Sequence, residues 1–559
     1  MNTSLKMIEA LRGGTIAACI CVPLATPLAG AQTTNWISQF GTPQTEFGTK
    51  LAADGAGGVF AATNSGPPVF GFTDVLLARF DELGQPLWTQ TIGTPARDEV
   101  LAASSDGAGG FLLSGSTAGD LSGPSVGEVD AWVGRFDASG NSIWLTQLGS
   151  TSFDSCQAVA SDGAGGAFAC GSTNGDLGGP NLPSVAAWLA HFDATGNLTW
   201  IRQFNSGSPD SATGLVQDGT GGVYACGITS GDLFGFGGGD PDAWLARFGA
   251  AGNTLWGLQW GSGEPESATS VALNGVDGVF VAGNTAGFLG GSNMGSTDVW
   301  VTRISATGNQ TWIEQFGTSM SDQFAAAASD LGGGVYLLGT TTGQLGSSTP
   351  GGVDSWVARY DDEGDRSWIR QFGTPGTDRA AGLAVAQPGQ LFLGGSTSSD
   401  LGGPNAGGED LWVASFDSLL SDSYCSSPAN SSGAPAAFTA SGSSAIPFNR
   451  LDFRCESLPQ FAFGHFLCST VQGFVPNPGG SQGNLCLGGA IGRFVGPGQI
   501  QNSGSGGVIT LTVDLAALPQ PLGSVPALPG ETWNFQAWFR DANPNTTSNF
   551  SNGVAVTFY

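Results

Sequence analysis

Seven carboxylates recur at one position of a long repeat: Glu46, Asp98, Asp154, Asp210, Glu266, Asp322 and Asp378. Gathered into a ring, such acids would suit calcium, a hard cation that favours clustered carboxylate and carbonyl oxygens. Taken in pairs, they would suit general acid and base work on a glycosidic bond. A second set, Asp74, Asp130, Asp242, Asp298, Asp354 and Asp410, opens another strand-like stretch, with Ala186 as its exception. A third lies in glycine-rich "GDL"-type loops, at Asp120, Asp176, Asp232 and Asp400. The competing role is local: an aspartate accepts backbone N–H bonds in its own turn or pairs with the recurring Arg79, Arg135, Arg247, Arg303 and Arg359. A residue repeated in every unit fits that architectural role better than a single active site. No DxDxDG calcium loop occurs, so no cofactor is expected beyond calcium at the acidic ring.

Other chemistry is sparse. Of the two histidines, His191 replaces the arginine that recurs at this position of the third strand, and His465 falls in a strand-like C-terminal stretch. No GxSxG, HExxH or phosphate-loop pattern is present, and no catalytic residue is assigned. Cys156 and Cys170 flank one predicted hairpin and are candidates for a bridge, while Cys226 reads as a buried free thiol. Cys425, Cys455, Cys468 and Cys486 cluster near the C-terminus and read as two disulfides of open connectivity.

The elements that must hold these residues are short strands. Trp36, Trp88, Trp144, Trp200, Trp256, Trp312 and Trp368 are spaced 52 residues apart once and 56 thereafter, a period typical of repeat arrays. Each period holds four strand patterns, as in "SATGLVQ", "VYACGIT", "DAWLARF" and "TLWGLQW". The 92 glycines supply the positive φ angles of the turns between them. The third pattern occurs seven times, and so does the tryptophan-bearing fourth. The first fourth-type copy (36–42) has no unit before it, and the last third-type copy (410–416) has no fourth after it. Joining the two closes a ring of seven sheets and removes an exposed edge. The tryptophans are expected to pack each sheet on its neighbour.

On these motifs ("DGxGGVYxxG", "DAWLARFDxxGN" and the closing "W..QFG") the chain from about 33 to 417 resembles the bacterial SBBP β-propeller repeat family. "DATGNLTW" resembles, more weakly, the tryptophan-docking motif of quinoprotein propellers. The first resemblance implies an exported protein. The second implies shared sheet packing without the quinone chemistry, since the adjacent cysteine pair often found in that family is absent.

The expected fold class is all-β: a seven-bladed β-propeller closed by an N-terminal strand, followed by a C-terminal β-sandwich. Residues 1–31 read as a signal peptide, with a small-residue site before Gln32; 32–420 as the propeller; 421–438 as a polar linker; and 439–559 as the sandwich, whose Trp533, Phe535 and Trp538 are assigned to its core. A net charge of −28 excludes nucleic acid as a partner and favours cations or basic proteins. No stretch after the leader is apolar enough to span a membrane. The reading is a secreted, monomeric, non-enzymatic scaffold that binds an extracellular protein or glycan through an acidic loop face. The alternatives are a hydrolase or lyase acting on polysaccharide through carboxylates at the channel mouth, and a quinoprotein-like oxidoreductase.

Overall fold

The computed structural model describes residues 20–22, 32–66, 72–180, 184–235, 241–275, 277–345, 351–387, 389–418, 422–442, 446, 449, 451–542 and 546–558. The expected signal peptide lies outside them except for Ile20–Val22, a short strand paired with 37–39.

Among the described residues, 32–418 form seven antiparallel sheets of four strands, and Ile20–Val22 adds a fifth strand to one of them. In the third, Asp154–Ser161, Ala167–Thr173, Ala186–Phe192 and Leu198–Phe204 follow in sequence order from the innermost strand to the outermost. Each innermost strand packs on the next, and the cycle closes from Asp378–Gln387 back to Thr45–Ala53. This is a propeller arrangement, and we call the sheets blades 1 to 7 in chain order. The last blade is completed by Gln32–Phe40, which pairs antiparallel with Asp410–Ser418 from Gln32↔Ser418 to Phe40↔Leu411. Trp36, Ile37 and Phe40 of that strand are all buried.

Second and third strands have both faces covered by neighbouring blades, so nearly every residue in them is buried. Six third strands carry a fully buried tryptophan (Trp132, Trp188, Trp244, Trp300, Trp356 and Trp412). Each lies opposite a glycine, as in Gly171↔Trp188, where a Cβ would strike the innermost strand's backbone at 1.9 Å. Blade 1 departs from this pattern and has Thr63 opposite Leu76.

The outer-strand tryptophans make inter-blade contacts. The indole N–H of Trp88, Trp200, Trp256 and Trp312 donates to a backbone carbonyl 50 residues on, in the next blade's third-to-fourth turn, at 2.8–3.1 Å. Trp36 bonds to Glu82 in the same way at 2.9 Å.

In the C-terminal region one sheet is built on Phe463–Ser469, Thr532–Asp541 and Gly553–Thr557, and a second on Ala437–Gly442, Leu451–Glu456 and Ile509–Val513. They share one core, which includes Phe438, Phe453, Phe466, Trp533 and Phe535. Trp538 is only half-buried, against His465. The stretch 421–438, expected as a linker, instead contributes Asp422–Cys425 to the first sheet by pairing with Gly553–Thr557. Alternation is hard to read in so short and polar a strand.

The cysteine expectations need correction. Cys425 and Cys486 form a disulfide, with Cα atoms 6.3 Å apart. Cys455 and Cys468 are free and buried, on the two different sheets. Cys156 and Cys170 are also free. Cys156 lies directly opposite Gly171, so Cys170, one residue away, points to the other face of the blade. The two thiols join different cores. Cys226 is buried and free.

Candidate functional site

The seven ring carboxylates do not line an open mouth. Glu46, Asp98, Asp154, Asp210, Glu266, Asp322 and Asp378 are at most 1% exposed. Each accepts hydrogen bonds from a Ser or Thr four residues upstream, through both its backbone N–H and its hydroxyl. At Glu266 these are Ser262 N–H and Oγ, each at 2.6 Å, joined by the Thr285 hydroxyl at 2.7 Å from the second strand. Their own N–H groups bond back to the preceding blade, as Asp154 N–H does to the Val129 carbonyl at 2.8 Å. The carboxylates therefore fasten the blade-to-blade loops. No cluster of three or more metal-ligating side chains occurs among the described residues.

Five of the second set are buried as well, and Asp74 is half-buried. Asp130, Asp242, Asp298, Asp354 and Asp410 accept from the amide of a fourth-strand glutamine, such as Gln147 at 2.8 Å and Gln259 at 2.8 Å. The same glutamine accepts two loop N–H groups, for example Leu233 and Phe234 at Gln259, and so pins the second-to-third loop. The sequence shows this glutamine three residues after the fourth-strand tryptophan without revealing its role, because in blades 2 to 6 its partners lie 17 to 28 residues away. The arginines pair with neither acidic set. Arg79, Arg135, Arg247 and Arg359 grip Asp54, Asp106, Asp218 and Asp330 of the tight first-to-second turns at 2.6–2.8 Å. His191 replaces that arginine and faces Asp162 at 3.1 Å.

Burial pushes the carboxyls of Glu46, Asp98, Asp154, Asp210 and Asp354 above their ordinary values. Neighbouring acids add to this at Asp154 (from Asp130), Asp354 (from Asp378) and Glu46 (from Asp410). A carboxyl whose folded pKa is raised stabilises the fold below the unfolded value, and that contribution fades as pH climbs through the folded value. Asp218 and Asp541 are shifted down by their hydrogen bonds, against an opposing burial effect. Their contribution is lost as pH falls through their lowered values. Thermal melts are therefore expected to show greatest stability near pH 4 to 5, declining on both sides. A melting temperature that rises steadily from pH 5 to 8 would contradict this.

What remains at the surface is the loop set. Asp120, Asp176, Asp232 and Asp400 are exposed, as are Glu128 and Glu264. Second-to-third loops touch the following fourth-to-first loop, as at Ser296 N–H to the Met320 carbonyl, 3.3 Å. The two loop sets therefore share one face. Blade 5 breaks the pattern there. Phe288 takes the place of the "GDL" aspartate and is 72% exposed, and Met294 and Met320, in loops of the same face, are 58% and 51% exposed. Glu264 lies against Gly287, immediately before Phe288. Sequence reasoning missed this apolar spot, although "AGFLGG" beside "SGDLFG" carried the signal.

Residues 143–178 match the family model of the SBBP β-propeller repeat. The regulatory protein FlaEY of Caulobacter vibrioides is 28% identical over 389 residues, covering 59% of this chain and 40% of that protein. This chain thus spans about two fifths of the length of that relative. Among solved structures, the Pan2 WD40 domain of Neurospora crassa overlaps with a TM-score of 0.38 at 11% identity, covering 67% of this chain and 89% of its own. The β-propeller domain of the Trilobed protease from Pyrococcus furiosus gives 0.35 at 8% identity, covering 67% and 94%. Overlaps this loose do not bear on activity. The repeat at 143–178 is thus of the SBBP β-propeller type, and the sheets it helps to build are the blades of a propeller.

Proposed function

We propose that the protein is a secreted, non-enzymatic scaffold whose loop face binds a basic partner carrying an apolar side chain. The observation that carries this reading is the break at blade 5, where Phe288, Met294 and Met320 are all exposed on a loop face that also carries exposed acids, Glu264 among them. A structural role would repeat in every blade, and this one does not. The buried carboxylates are committed to loop fastening, which leaves the exposed Asp120, Asp176, Asp232 and Asp400 for electrostatic attraction. The FlaEY relative is itself a regulatory protein, and the leader at 1–31 fits export.

The test is a binding screen of the full chain against cationic peptides with and without aromatic residues, acidic and neutral glycans, and calcium. Binding of the aromatic cationic peptides is expected to weaken with salt and to fall about tenfold in Phe288→Asp, about the value of one buried aromatic anchor. Turnover of a glycan, or peptide binding indifferent to Phe288→Asp, would overturn the proposal.

A further inference from the structure

Lys50 is the one lysine in the chain after Lys6; every other later cation is arginine. It sits on the innermost strand of blade 1, Thr45–Ala53. The register places it opposite Ala62. The same place in blades 2 to 7 holds Ala102, Ala158, Gly214, Ser270, Ala326 and Gly382, opposite Ser114, Cys170, Cys226, Ala282, Leu338 and Gly394. Six blades thus carry a residue of at most a few atoms where the seventh carries a long amine.

The position faces the next innermost strand. Ser270 Oγ lies 3.5 Å from the Ala327 carbonyl of the following blade. A Cβ on Gly214 would meet Thr269 and Ser270 there. By the same repeat geometry, the Lys50 stem lies toward Asp98–Ser105. Lys50 is crowded by protein yet partly accessible to solvent, and on an innermost strand the accessible side is the central channel. Blade 1 is also irregular around it. The bulge between Phe47 and Lys50 contains Gly48 at φ 69°, where the other blades have Val100, Cys156, Ala212, Ala268, Phe324 and Ala380. Bulges of this kind re-aim a side chain. Thr63 and Leu76, which replace the glycine–tryptophan pair, belong to the same blade.

We propose that Lys50 is a carbonyl-capture site, whose amine condenses with the aldehyde group of a small ligand admitted by the channel. The nitrogen lone pair attacks the carbonyl carbon, the carbonyl oxygen leaves as water, and a C=N bond joins the ligand to the protein. No external oxidant or reductant is needed. Burial alone shifts the Lys50 amine below its ordinary value, with no charged neighbour contributing, and this enlarges the neutral, nucleophilic fraction. The charged groups on the strands beside it are Glu46 on its own strand, Asp98 and Glu99 on the next, and Asp378 and Arg379 on the preceding one. Glu46, Asp98 and Asp378 are held by Ser or Thr hydroxyls, and Glu99 pairs with Arg97.

The full chain is treated with propanal and cyanoborohydride at pH 7 beside free Nα-acetyl-lysine amide as an internal competitor, and the modified sites are mapped by mass spectrometry. Lys50 is expected to label at least tenfold faster than the competitor, with a rate profile whose midpoint lies below the ordinary lysine value of about 10.4. Lys50→Arg is expected to keep its melting temperature and lose only the residue-50 adduct. Labelling of Lys50 no faster than the competitor, or no label at all, would overturn the proposal. So would protection by acetate or sulfate without any trapped adduct, which would make the site an anion site.

Discussion

Deleting residues 32–42 is expected to abolish cooperative folding of the propeller. This segment supplies the outer strand of blade 7, paired along its whole length with Asp410–Ser418. It also buries Trp36, Ile37 and Phe40, and Gln39 bonds to both the Ser399 carbonyl and Asp410. Losing one buried aromatic costs roughly 3–5 kcal/mol and a buried isoleucine roughly 2–5 kcal/mol. Three such losses together reach the roughly 5–15 kcal/mol by which whole domains are stable. Without the strand, Asp410–Ser418 also becomes a free edge open to aggregation. Circular dichroism melts of the deletion variant should show a broad, low transition or insoluble protein. A sharp melt within a few degrees of the parent would show that the ring closes without this strand.

The second large effect concerns the turn glycines that receive the tryptophans. Gly84 has φ 76° and a Cβ there would lie 2.5 Å from the Trp36 ring. Gly219 has the same φ of 76° but nothing within 4 Å of the added atom. Alanine at either position meets the same backbone strain, about 1 kcal/mol. Only Gly84→Ala adds a clash between blades, which for an overpacked site costs roughly 1–3 kcal/mol. Gly84→Ala is therefore expected to destabilise by about 2–4 kcal/mol and Gly219→Ala by about 1 kcal/mol. Denaturant melts of the two variants check this, and equal losses would mean that the indole does not dock on the turn. Gly196, Gly252, Gly308 and Gly364 repeat the arrangement against Trp144, Trp200, Trp256 and Trp312 at 2.8–3.1 Å. Trp368 stands apart, because blade 7 takes its fourth strand from the N-terminus and has no third-to-fourth turn to offer it. The Trp368 joint is bound instead by apolar contact within the core around Tyr336, Phe372 and Trp412.

The candidate site was legible only in part. Phe288 could be found by aligning the repeats, since it replaces an aspartate in a motif that recurs. Lys50 could be found by composition, as a lysine in a chain that otherwise uses arginine. Neither signal tells what surrounds the residue. The burial of the acidic ring was not legible, because each carboxylate is covered by the neighbouring blade and held by a hydroxyl 19 residues along the chain, as Thr117 holds Asp98.

The sequence by itself determined the period, the four-strand unit, the all-β class and the offset between first and last copies that lets the N-terminal strand complete the ring. These features are written in local alternation, in turn glycines and in the 56-residue spacing, none of which depends on how the blades meet. Only the tertiary structure decided which face each residue serves. It turned the seven acids inward, set Arg79 and its counterparts on turn aspartates rather than on the ring, and put Cys156 and Cys170 on opposite faces. It also left Phe288 outside and set Lys50 on the innermost strand of blade 1. The physical reason is that strand register and bulges reverse sidedness in single-residue steps, while burial and hydrogen bonding are settled between chain segments tens of residues apart.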